Sequence, residues 1–254
     1  MKPTLGGATF IMNGNKYDYH FKETIQCLKE LCDSVVICAI PTDDGTIEDL
    51  QPLLDDKTKL ILVDQELWEA TKSKGSERLS FFSNIAIANL KTDYLIYIQC
   101  DECLHQDSFP AVRKAIETGK EAFMITRLNL WRDPYSMLNV KGERNPCSPQ
   151  VIRLTKSQYR CISDGESINA QCVFDYVNDI VMYHSGYIRR KDVMKSKIIH
   201  LQTEVFQMSD YDKKLDKHEL FQPMDYFELH ELIPIPKPLP KWIQKWSAER
   251  TYVE

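Results

Sequence analysis

Apolar runs and helical-period stretches alternate along the first half of the chain. Residues 8–12 read as a strand, and Phe21, Ile25, Leu28 and Cys32 then fall on one face of a helix. Residues 34–40 form a continuous apolar run closed by Pro41, and the polar turn Thr42-Asp43-Asp44-Gly45-Thr46 leads into a short helix over 47–54. A third strand is expected at 60–63. A helix over 78–90 carries Leu79, Phe82, Ala86 and Leu90, and 94–98 is again apolar throughout. Strands without polar alternation, separated by helices, are what a parallel sheet covered on both faces requires. Residues 1–110 therefore read as a Rossmann-like half.

The second half is less regular. A helix bearing Phe109, Val112, Ala115 and Ile116 precedes a strand at 122–126, and a Pro-punctuated loop covers 132–149. A loop of that length points to binding as well as connection. Further strands are expected at 150–155 and 179–183. From His184 onward the chain is charged and reads as helical, with a Pro-rich segment at 234–240.

Composition narrows the class. With 254 residues, 43% hydrophobic and 27% charged, the chain can bury a sizeable core as an ordinary globular protein. A formal net charge of -5 gives no general basic field, so binding to a nucleic-acid backbone is not favoured. No stretch approaches a membrane span, and the N-terminal apolar segment, broken by Gly6 and Gly7, is too short for a signal sequence; the expected location is the cytoplasm. The eight cysteines lie mostly in or beside apolar segments and read as reduced thiols. Cys100 and Cys103 form a C-x-x-C, but no second pair exists to complete a zinc site, and the acids between them disfavour a thiolate. Near the C-terminus Lys237, Lys241 and Lys245 interleave with Trp242 and Trp246, as in an interfacial helix or a tail docked on its own domain.

In open α/β sheets ligands bind beyond the carboxyl ends of the strands. Two acidic stretches follow predicted strands: the turn with Asp43 and Asp44, and Gln99-Cys100-Asp101-Glu102. Adjacent carboxylates there offer hard oxygen ligands to Mg²⁺ or Mn²⁺, completed by a diphosphate. The competing reading makes each acid a helix cap or, at Asp44-Gly45, part of a plain turn.

These same residues resemble the family-2 glycosyltransferases and their GT-A relatives. DSVVICAIPTDDGT (33–46) is similar to that family's second strand and following turn. NIAIANLKTDYLIYIQCDE (84–102) resembles its helix, strand and D-x-D signature, NPCSPQVIRLTKSQYRCISDGESI (145–168) its stretch with the catalytic acid, and YHSGYIRRKDVMKSK (183–197) its His-x-Gly-x-x-Arg segment. The chain departs from the pattern at Ala39, where an acid usually touches the base, and at Gln99, where the first acid of D-x-D is missing.

The resemblance implies a GT-A (Rossmann-like) α/β fold with a mixed, mainly parallel sheet flanked by helices. It implies a domain over 1–183, with a sugar-nucleotide half at 1–110 and an acceptor half at 111–183, and a helical C-terminal extension at 184–254 that completes the site. The implied activity is inverting, divalent-metal-dependent transfer from a nucleotide-diphosphate sugar to a hydroxyl of a glycan, lipid-linked sugar, protein or modified DNA base. Asp43, Asp44, Gln99, Asp101, Glu102 and Arg189 would bind the donor. Asp101, Glu102 and His184 would hold Mn²⁺ or Mg²⁺. Glu166, preferred to Asp164, would be the base, and Trp131, Arg132 and Tyr135 would meet the acceptor. Of the basic residues after His184, Arg189 is chosen over Arg190, Lys195 and Lys197 as the diphosphate clamp. A nucleotidyltransferase and a non-catalytic sugar-nucleotide-binding module are the alternatives.

Overall fold

The computed structural model describes residues 1–139, 150–170, 172–207 and 231–248. The first half alternates β1 (Leu5–Ile11), α1 (Phe21–Leu31), β2 (Ser34–Ala39), α2 (Thr46–Leu50), β3 (Thr58–Leu62), α3 (Gln65–Ala70), α4 (Glu77–Ala88) and β4 (Tyr94–Tyr97). The four strands lie parallel in the order β4-β1-β2-β3. Because β2 is covered on both faces, its side chains divide by alternation. Val35, Ile37 and Ala39 join one core with Ile25 and Leu28 of α1, while Val36 and Cys38 join the other with Phe82 and Ala86 of α4.

Beyond β4 come β5 (Glu102–Leu104), α5 (Phe109–Glu117), β6 (Ala122–Trp131), β7 (Ser136–Asn139), β8 (Gln150–Lys156), β9 (Arg160–Ile162), β10 (Ser167–Asn169) and β11 (Asp175–Tyr187). β8 enters antiparallel between β4 and β6, β11 runs parallel to β6, and β5 pairs antiparallel with β11. The result is the expected mixed sheet flanked by helices. β9 and β10 make a separate hairpin whose turn carries Ser163 at φ +53 and Gly165 at φ +79. Gly165 takes this left-handed conformation without a Cβ penalty.

Three elements differ from the sequence pattern. β6 continues to Trp131 and β11 spans Asp175–Tyr187, both longer than their apolar runs. Each strand pairs with the other along its length, so the polar residues Arg127, Asn129, His184 and Ser185 are held inside the sheet. The part after His184 is helical in α6 (Lys191–His200) and α7 (Gln244–Ala248), but β12 (Glu231–Pro234) is a strand paired with β7. Proline disfavours a helix interior and suits such an edge.

The C-terminal tail docks on the domain. Trp242 stacks on Phe109 at 5.5 Å, Lys241 reaches Glu30 at 2.7 Å, and Trp246 packs against His20 at 4.8 Å. Among the described residues no helix is long and apolar enough to cross a membrane. The seven cysteines among them are free thiols.

Candidate active site at the sheet edge

The chain leaves β4 through Ile98 and turns at Gln99 into Asp101 and Glu102. Two hydrogen bonds fix this turn to β11: the Ser185 amide and hydroxyl both donate to the Asp101 carbonyl, at 2.9 and 3.1 Å. The same register sets His184 opposite Glu102. Asp101 and His184 thus meet at the edge, with Asp101 Oδ2 3.8 Å from His184 Nε2. Asn129 on β6 holds the imidazole through Nδ1 at 2.8 Å. The ring folds back over Gly186, where a Cβ would stand 2.4 Å from Nε2, so only glycine leaves it room.

Asp101 Oδ2 accepts from Arg189 Nη2 and from Lys197 Nζ, each at 3.2 Å. Burial pushes the Asp101 carboxyl up, but Lys197, His184, Arg189 and His20 outweigh it and hold it well below the usual carboxylate range. Burial, then Arg189, draws the Lys197 ammonium down to about 8 against the pull of Asp101. His184 is lowered to about 4 by burial despite its acidic neighbours, and stays neutral at pH 7.

Glu102 does not share this setting. Its Oε1 accepts from Arg153 Nη2 at 2.9 Å and its Oε2 from the Gln99 amide at 2.8 Å, and Arg127 stands 3.7 Å away. Burial raises its pKa against Arg153 and Arg127. The expectation that Glu102 is a metal ligand or donor contact is therefore corrected. Its side chain is fully buried and both oxygens serve the protein.

That ion pair organises the neighbouring β9–β10 turn. Arg153 Nη1 also donates to the Gly165 carbonyl at 2.9 Å, and Arg127 pairs with the Glu166 carboxylate. The β9–β10 turn, with Asp164 and Glu166, is thereby tied to the end of β4. Glu166 retains 35% side-chain exposure. Burial raises its pKa, but the charges of Arg127 and Arg153 bring it below the usual value. Asp164 is raised by burial and by Glu166. Arg127, which pairs with Glu166, and Asn129, which holds His184 beside Asp101, lie two residues apart on β6, so that strand links the two expected carboxylates.

The other expected residues sit as follows. Asp44 binds the Asn15 and Lys16 amides through Oδ2, and the Thr42 hydroxyl and Thr46 amide through Oδ1, tying the turn after β1 to the turn after β2. Its side chain is committed to that turn, whereas Asp43 is exposed. Gln99 is half-buried at the edge. Arg189 is fully buried and donates to the carbonyls of Tyr17, Ser185 and Ile188. The expected clamp is thus a strut between β11 and the turn after β1. Trp131 is buried with its ring 4.3 Å from Tyr187, Arg132 adopts φ +67, and Tyr135 is 63% exposed. The remainder of the expected loop, 140–149, lies outside the described residues.

The donor set for Mn²⁺ or Mg²⁺ does not assemble. Glu102 is spent, Asp101 already carries two cations, and among the described residues no three His, Cys, Asp or Glu side chains gather to hold an ion. Arg127, Arg153 and Asn129 escaped the sequence reading. Their signal was an arginine or amide within an apolar strand, which in a core demands a partner.

No known family profile and no curated protein matches the chain. Among solved structures it is similar to S. aureus TarS 1–349, with 11% identity over 83% of this chain and 68% of that one, at a TM-score of 0.47. The same TarS fragment in complex with UDP gives 11% identity, 83% and 68% coverage, and 0.46. It is also similar to glucosyl-3-phosphoglycerate synthase from Mycobacterium tuberculosis in complex with Mn²⁺, UDP and phosphoglyceric acid, with 13% identity over 82% of this chain and 80% of that one, at 0.46. At such identities and scores, the chemistry of this chain rests on its own side chains.

Proposed function

We propose that the chain transfers a sugar from a nucleoside-diphosphate sugar to an acceptor hydroxyl by a single displacement with inversion. The observation that carries the reading is that β6 holds Glu166 from the β9–β10 turn through Arg127 and, two residues on, holds His184 through Asn129, beside Asp101 from the end of β4. In this reading the Glu166 carboxylate takes the acceptor's hydroxyl proton as the oxygen bonds to the anomeric carbon. The bond from that carbon to the diphosphate breaks, and the diphosphate leaves with the electron pair. Arg127 keeps Glu166 ionised and aimed, and Asp164 is its alternative as base.

Residues 1–110 are assigned to the donor, with Asp43 and Gln99 on the nucleotide side. Residues 111–183 are assigned to the acceptor, with Arg132 and Tyr135 at the rim and Trp131 behind Tyr187. The segment 184–254 completes the site through His184 and α6. In this reading no divalent ion is resident, because Arg189 and Lys197 already occupy Asp101 Oδ2. Nucleotidyl transfer is disfavoured because Gly6 and Gly7 lie within β1 against Leu90 and Leu28 rather than in a phosphate loop.

The test is release of nucleoside diphosphate from UDP-, GDP-, ADP- and dTDP-sugars with mixed hydroxyl acceptors. One base class should turn over, and Glu166→Gln should lower kcat by about 10²-fold or more with the donor Kd little changed. The loss appearing in Asp164→Asn instead would move the base to Asp164. No turnover and no binding with any donor would refute the reading.

A further inference from the structure

The charges around Asp101 are unlike those of a carboxylate metal centre. Glu102 and Glu166 share Arg153 and Arg127 between them, one cation for each carboxylate, whereas Asp101 has both Arg189 and Lys197 to itself. One positive charge is therefore in excess at the point where the resemblance expects a metal. Arg189 is walled in by three backbone carbonyls, with 0% of its side chain exposed. Lys197 retains 7%, and its ammonium makes two hydrogen bonds, to Asp101 Oδ2 and to the Gly186 carbonyl at 3.0 Å. An ammonium has three N–H donors, so one is left without a hydrogen bond, with the centre of the Tyr19 ring 5.1 Å from the ammonium.

A divalent cation approaching Asp101 would meet an ammonium and a guanidinium already seated on the same oxygen, and like charges repel it. A diphosphate meets the opposite field. We infer that Lys197 neutralises the donor's diphosphate directly, so that nucleotide binding needs no divalent cation. Asp101 is then a positioning residue that holds the ammonium at the edge beside His184. This rests on the nucleotide-sugar reading above and names how that site holds its donor.

Calorimetric titration of the full chain with UDP, GDP, ADP and dTDP, in EDTA and again with excess Mn²⁺, tests it. The nucleotide that binds should do so with Kd values agreeing within about 3-fold in the two conditions. Lys197→Met, which keeps the stem's packing, should weaken binding about 10-fold or more in EDTA without rescue by Mn²⁺, and Lys197→Arg should retain most of it. Tightening by Mn²⁺ of about 10-fold or more in the wild type overturns the inference and leaves the donor reading standing. Unchanged binding by Lys197→Met overturns it as well. If no nucleoside diphosphate binds in either condition, the donor reading falls and takes the inference with it. The wild-type comparison decides even where a variant fails to fold.

Discussion

Asp101 and Glu102 are neighbours in sequence with different physical roles. Asp101 binds cations that reach it from the link after β11 and from α6, whereas Glu102 is enclosed by Arg153, Arg127 and the Gln99 amide. Removing one partner of a buried ion pair leaves the other charge unpaired in a low-dielectric setting. Glu102→Gln should therefore cost about 3 kcal/mol or more of stability in urea denaturation. The nucleotide Kd of the folded variant should stay close to wild type. Normal stability with lost nucleotide affinity would instead return Glu102 to the ligand set.

The segment from His184 to Arg189, which runs from the last residues of β11 into the following link, carries much of the site's geometry in one short stretch. His184 supplies the imidazole, Ser185 pins Asp101, Gly186 makes space for the ring and accepts from Lys197, and Arg189 braces the turn after β1. A methyl group at 186 would drive the imidazole off Asn129 and shift the carbonyl that holds Lys197. Gly186→Ala should destabilise the protein by about 1–3 kcal/mol, the usual cost of overpacking. It should also move the His184 ring resonances in NMR spectra. A neutral substitution with unmoved resonances would mean that the ring has space to spare.

For the molecule as a whole, buried histidines dominate the response to mild acid. Burial lowers His20 to about 3 and His184 to about 4, against 6.5 for a free imidazole. Their folded values are depressed, so the unfolded chain binds protons first as pH falls below 6.5. The stability they contribute is present above that pH and is lost progressively down to about 4 for His184 and about 3 for His20. Two such groups give a slope of roughly 2.7 kcal/mol per pH unit within the window. Urea denaturation between pH 8 and 4 should show the fall beginning near 6.5. Stability level down to pH 4.5 would mean that both rings accept protons in the fold.

The sequence by itself determined the parallel half and the edge at which the candidate residues gather. Uninterrupted apolar strands at 34–40 and 94–98 must be buried on both faces, and polar turns after such strands must gather at one end of the sheet. Asp101 was legible for that reason, and the β9–β10 turn was legible from its Asp-Gly pair. Only the tertiary structure decided which groups each carboxylate meets. β8 inserts antiparallel between β4 and β6 and delivers Arg153 to Glu102, while β6 brings Arg127 to Glu166. Lys197 is 96 residues from Asp101, and no local periodicity encodes their 3.2 Å contact. Long-range ion pairs depend on how strands and helices pack, and a charged residue's sequence neighbours say little about the charge it will find across the fold.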